Sequence, residues 1–305
     1  MQEERPLPAH VREKHGAWHL VQKHQWTKLC RIEEGRAKLY DRLFDLAGSE
    51  PGPVWHAILA YLKSGMGDLA PATRKHYWND GLRLLHHFGH LELSEVEPTH
   101  IAQFLKWCRE NDRATTGNRE RAVLSSVFEY AMGEGWCSFN PCRGVRRNKE
   151  RPSKEYVEHE ALSAALDRAP PALQHLMAVA YLTGIRQTDL RLARQHQIVG
   201  NQLHVDESKT GKHNAHEITP TVRFFLDQAI TRAKEAGSEF LFVSAKGLPW
   251  SEWGLQSALR RFKAGFRFRD LRAKAQTDSG SKDILGHTGQ MRERYMKRRK
   301  LSAVK

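Results

Sequence analysis

LTGIRQTDLRLAR, residues 182–194, follows PALQHLMAVAYLTG (171–184), a run that is apolar on nearly every side. Such a run reads as a buried helix, and Gly184 is where it stops. Arg186 comes two residues later, held by packed structure on one side and able to aim its planar fork at a phosphate. Asp189 is placed three residues on, where it can orient that guanidinium. Taken alone, an arginine near a helix end more often pairs with a surface carboxylate, so its surroundings decide.

Downstream, four further features follow in order. QLHVDE, a KTGK turn and AHEITP read as a hairpin with Lys209 at its tip and Lys212 three residues along. RDLRAKAQTDSG (269–280) places Arg272 on the first turns of a helix. LGH (285–287) sets His287 just after a glycine. Positive charge then surrounds one phenol: in ILGHTGQMRERYMKRR (284–299), Tyr295 lies among Arg292, Arg294, Lys297, Arg298 and Arg299. A phenol with its usual pKa of about 10 is easier to ionise among so many cations.

The whole composition points the same way. The chain has 305 residues and a formal net charge of +14, with 40% hydrophobic and 28% charged residues. That is an ordinary soluble balance with an extraordinary charge, spread along the chain rather than gathered in a tail, and it predicts a polyanionic partner. Charge alone leaves RNA open beside DNA. No apolar run is long enough to span a bilayer and no signal peptide is apparent, so no membrane partner and a cytoplasmic location are expected. Cys30, Cys108, Cys137 and Cys142 fit neither a zinc pattern nor a disulfide framework and read as reduced thiols. The 17 histidines are scattered, and no metal site is expected.

Upstream, AWHLVQKHQWTKL reads as a short hairpin, with Trp18, Leu20 and Val21 before the turn and Trp26 and Leu29 after it. GRAKLYDRLFDLAG follows as a helix. From Val54 to about Arg147 four helices are expected: VWHAILAYLKSG, one from Ala72 through WNDGLRLLHHFG, HIAQFLKWCREN, and NRERAVLSSVFEYAMGEG. The last carries an apolar stripe (Val123, Leu124, Val127, Tyr130) and a polar face with Arg113, Asn118, Arg119 and Arg121. That face suits a major groove, though an exposed charged face is as common without one. RNKERPSKEY (147–156) is a charged linker and the main boundary. The expected fold is therefore mainly α with a small β-sheet, in three parts: 1–50, 54–147 and 153–305.

The ordered set TGIRQTDL, ESKTGK, RDLRAKAQTD and LGHTGQMRERY resembles the boxes of the tyrosine recombinases of phage-integrase type. GEGWCSFNPCRGVRR (133–147) resembles the exit of their helical core-binding domain. The resemblance covers about residues 54–305 and implies a SAM-like core-binding domain plus a mixed α/β catalytic domain, with residues 1–50 as an arm-binding segment. It implies that Tyr295 attacks a DNA phosphodiester to give a 3′-phosphotyrosine, that Arg186 and Arg272 clamp the phosphate, and that Lys209 protonates the leaving oxygen, with Lys212 as runner-up. His287 and Arg269 would contact the phosphate, and Asp189 would support them from behind. It also implies no cofactor, metal or ATP. The implied partners are attachment-type duplex DNA, gripped by the two domains of one chain as a C-shaped clamp, three further copies of the chain in a homotetramer on two duplexes, and an accessory bending protein. Two departures stand out. Arg269 occupies a position that is usually His, and it cannot act as a base. The His287–Tyr295 spacing is one residue shorter than the commonest, which asks for a tighter turn at Thr288-Gly289. A catalytically silent DNA-binding relative, or a type IB topoisomerase-like or resolving enzyme, is the alternative.

Overall fold

The computed structural model describes residues 7–22, 25–46, 52–150 and 156–279. It divides into two compact units, Met1–Arg151 and Pro152–Lys305.

In the first unit the expected hairpin is part of a three-stranded antiparallel sheet. Strands β1 (Val11–Lys14), β2 (Ala17–Gln22) and β3 (Gln25–Arg31) lie in that order. The unexpected strand, β1, turns into β2 through His15 and Gly16, both at positive φ (50° and 70°). Two successive left-handed residues make the tight turn whose twist matches the strands it joins. The short, charged VREK offers little periodicity, since only Val11 is buried. One face of the sheet buries Val11, Trp18, Leu20, Leu29 and Cys30.

That face does not form a core of its own. It shares one with α1 (Gly35–Leu46), α2 (Val54–Ala60), α3 (Pro71–Phe88), α4 (Pro98–Glu110) and α5 (Ala114–Gly133). Residues 7–46 are thus built into the helical body rather than set apart as an arm. All seven residues of α2 are buried, and the chain continues through a π-helical turn, Tyr61–Gly65. Pro71 and Pro98 open α3 and α4, positions where a missing N–H costs nothing. Beyond α5, the NPCRGV stretch is stitched back to it. The buried Asn140 donates to Ser125 O (3.0 Å) and to Glu129 Oε1 (2.8 Å), and accepts from Cys142 N (2.9 Å).

The second unit begins with α6 (His159–Arg168) and α7 (Pro171–Thr183), the latter burying nine of its residues. Gly184 ends α7 in the left-handed conformation, φ 66°. α8 (Gln187–Arg191) follows, then a sheet in the order β4 (Ile198–Val199), β5 (Gln202–Asp206), β6 (His213–Glu217), one short strand more than the hairpin expected. α9 (Pro220–Glu235), α10 (Glu252–Phe262) and α11 (Phe268–Asp278) complete it. Leu241, Phe242 and Val243 are buried as expected, but the run pairs only through two isolated bridges, Arg194 with Phe240 and Val243 with Pro249.

α11 is the least apolar of the buried helices, yet eight of its residues are buried. It packs against α7. What makes this tolerable is a closed polar network. The fully buried Lys274 donates to Asp278 Oδ2 (3.0 Å) and to the Tyr156 hydroxyl (2.8 Å), with its ammonium 4.4 Å from the Tyr156 ring centre. Tyr156 and Tyr181 both donate to Asp278. Burial would raise the Asp278 pKa, but these bonds outweigh it and hold it below the ordinary range. Among the described residues no helix is long and apolar enough to cross a membrane.

Removing one partner of a buried ion pair strands the other charge. Lys274→Met is therefore expected to cost about 3 kcal/mol or more, read as a fall in the urea midpoint; an unchanged midpoint would show that Asp278 finds compensation elsewhere.

Candidate active site

Arg186 stands at the N-cap of α8, in extended conformation immediately after the Gly184 stop, so its side chain leaves the helix end rather than lying along it. Its guanidinium forms an ion pair with Glu207, a buried carboxylate just past β5. Glu207 also opens the KTGK turn. Its backbone O accepts from Gly211 N (2.8 Å), its N donates to Lys212 O (2.8 Å), and its carboxylate accepts from the Thr210 hydroxyl. Burial raises the Glu207 pKa, but the Arg186 and Thr210 hydrogen bonds and the charge of Arg272 prevail and keep it ionised below the usual carboxylate range.

Asp189 is buried but serves the turn rather than Arg186. Its Oδ1 accepts from Ser208 N (3.1 Å) and from Ser208 Oγ (2.6 Å). The carboxylate that meets Arg186 is Glu207, where the sequence suggested Asp189. Two acidic groups thus pin the base of the turn, one on each side of Ser208, and leave Lys209 and Lys212 exposed beyond it.

Arg272 arrives from α11. It is buried, and its Nη1 donates to Gly184 O at 2.5 Å, the carbonyl exposed by the end of α7. Arg186, Glu207 and Arg272 line one cavity of about 370 Å³, together with Asp189 and His216. His216, on β6, was not singled out from the sequence. Its pKa is lowered by burial and then by the positive charge of Arg272, with Glu207 acting in the opposite sense.

Arg269 is not brought to this cavity. Its side chain is 66% exposed, 3.8 Å from Asp270, and it borders a separate groove of about 690 Å³ with Arg260, Lys263, Arg267 and Trp253. His287 and Tyr295 lie outside the described residues. Among those described, no group of three His, Cys, Asp or Glu side chains could hold a metal ion.

The polar face expected on α5 is largely occupied. Arg113 Nη2 (2.8 Å) and Arg83 Nε (2.6 Å) both donate to the fully buried Glu120. Asn118 is buried; it donates to Asn148 O and accepts from Asn148 N, both at 2.8 Å. Arg121 donates to Cys142 O. Arg119 is exposed. A helical wheel shows which residues are polar but not that a later segment folds over them.

Arg186 and Arg272 thus line one cavity on a mainly helical scaffold, and Glu207 joins it to the turn that carries Lys209. Residues 56–148 match the phage integrase central domain. The integrase of Escherichia phage HK022 is 26% identical over 160 residues, 50% of this chain and 45% of that protein. The integrase of Escherichia phage lambda is 28% identical over 221 residues, 64% of this chain and 61% of that protein. The chain thus spans about half to three-fifths of these relatives. A lambda integrase tetramer bound to a Holliday junction shares the fold, with a TM-score of 0.73 at 19% identity, covering 99% of both chains. These comparisons show a phage integrase central domain at residues 56–148 and a fold shared with lambda integrase.

Glu207→Ala leaves Arg186 without its buried partner and is expected to cost about 3 kcal/mol near neutral pH. Because the folded-state pKa of Glu207 is depressed, its contribution is present above the ordinary Glu value of about 4.3 and fades as pH falls below it. Urea denaturation of wild type and variant is expected to show a gap that closes in acid; a gap independent of pH contradicts the ionic origin.

Proposed function

We propose that this chain is a site-specific DNA recombinase that cleaves and rejoins duplex DNA through a 3′-phosphotyrosine formed on Tyr295. The observation that carries this reading is the convergence of Arg186 and Arg272, from separate parts of the chain, on one cavity beside the Lys209 turn. A phosphodiester under attack gathers negative charge on its non-bridging oxygens. Two fixed forks held by packed structure stabilise that charge without reorganising, and each such donor is typically worth about 10²–10³ in rate.

In this mechanism the Tyr295 oxygen attacks phosphorus, the bond to the 5′ oxygen breaks, and Lys209 supplies the proton that oxygen needs. Reversal by a 5′-hydroxyl of a partner strand rejoins the DNA, and the phosphotyrosine conserves the bond energy. Asp189 positions the base of the Lys209 turn through Ser208. His287 would add a phosphate contact, and Lys212 is the alternative acid. Arg269, facing the basic groove, and Arg119, exposed on α5, are read as contacts to the DNA backbone. Duplex DNA in the cytoplasm, four copies assembled across two duplexes and an accessory bending protein complete the reading, in line with the lambda enzyme solved as a tetramer on a Holliday junction.

The position of Arg269 outside the cavity favours one rival, a silent DNA-binding relative. Duplexes selected by binding from a randomised library, then nicked to trap the intermediate, separate the two. The expected result is an SDS-resistant protein–DNA adduct that is absent in Tyr295→Phe; binding without any adduct supports the silent relative.

A further inference from the structure

His216 lines the cavity, and the mechanism above gives it no task. β6 alternates, with Asn214 and His216 half-buried between exposed neighbours. The register pairs Leu203 with His216 and Val205 with Asn214. Directly opposed residues of an antiparallel pair project from the same face, so the imidazole stands on the face that buries Leu203 and Val205 and that Glu207 continues two residues on. That face closes one side of the cavity occupied by Arg186 and Arg272.

The charged groups around it are Arg272 from α11, Arg186 and Asp189 from α8, Glu207 from the turn after β5, and the exposed Glu217 beside it on β6. Glu207 and Asp189 are already committed to Arg186 and Ser208, and a carboxylate repels an anionic guest in any case. Arg269, the residue at the position expected to provide a further donor, faces another groove. His216 is left as the one group in this cavity, among the described residues, that can carry a donor to an anion and change charge near neutral pH.

Resting on the recombinase reading, we propose that His216 is a third contact to the scissile phosphodiester, donating a ring N–H to a non-bridging oxygen beside the Arg186 and Arg272 forks. In the empty cavity burial and the Arg272 charge favour the neutral ring. An entering phosphate reverses that balance, because an anion in contact favours imidazolium. His216 then adds a positive charge only once the substrate is seated. A permanent third cation would instead add to the repulsion between the two guanidinium groups in the free protein.

The test uses the full chain with labelled histidines and inorganic phosphate as the probe, with the His216 signal assigned through His216→Gln. The expected result is a His216 titration below the ordinary value of about 6.5, moved up by about one to three units on adding phosphate. In the adduct assay His216→Ala is expected to slow phosphotyrosine formation by about 10²–10³. Duplex binding and thermal midpoint should stay near wild type, and His216→Gln should recover part of the rate through its amide N–H. A His216 titration that phosphate leaves unmoved, or a wild-type adduct rate in His216→Ala, overturns the contact. A phosphate-dependent shift at His216 with no adduct from the wild-type protein upholds the anion contact and defeats the recombinase reading instead.

Discussion

The ion pair between Arg186 and Glu207 is the constraint on which the second unit depends. A cavity that presents two guanidinium groups to one guest holds like charges close together before the guest arrives. Glu207 offsets this, since its carboxylate pairs with Arg186 and also feels the charge of Arg272. The same residue opens the turn that carries Lys209, through its backbone contacts to Gly211 and Lys212. One carboxylate therefore links Arg186 to the loop that carries Lys209. A phosphate taking its place on Arg186 would alter both at once.

The rest of the unit keeps the second arginine where that pair needs it. Arg272 is held by Gly184 O, a carbonyl that α7 leaves unpaired where it ends. α11 in turn is fixed two residues later by Lys274 and its Asp278–Tyr156–Tyr181 network. Burying a lysine and an aspartate in a helix of low apolar content is a poor route to stability, because desolvation works against it. It does fix the rotation and depth of the helix, since every polar atom in the network has a directional partner. The first unit uses the same device on a smaller scale, with Glu120 receiving both Arg83 and Arg113.

Much of this was legible in the sequence, for reasons that also mark the limit. The helices from Val54 to Gly133 and α6, α7, α9 and α10 follow from apolar spacing, proline starts and glycine stops, which are local signals. Arg186, Arg272 and Lys209 were singled out by their order in motifs, and the structure brings Arg186 and Arg272 to one cavity. The choice of Glu207 over Asp189 as the Arg186 partner was not legible, because it depends on how far the β5–β6 turn reaches back over α8. A signal existed: Leu203, Val205 and Glu207 share a two-residue period, as do His216 and Ile218, so both polar groups sit on the inward face. Asn118 and Arg121 looked like a nucleic-acid face because their partners, Asn148 and Cys142, come from a later segment, while the partner of Arg113, Glu120, lies two turns on along the same helix. β1 escaped because three of its four residues are exposed.

A crystal structure of the chain trapped on duplex DNA with vanadate at the cleavage position tests the central claim most directly. The account predicts the vanadium centre within hydrogen-bond reach of the Arg186 and Arg272 guanidinium groups, with the Tyr295 oxygen bonded to it. Vanadium bound elsewhere, with Arg186 still on Glu207 and the Tyr295 hydroxyl turned into a packed core, would contradict it.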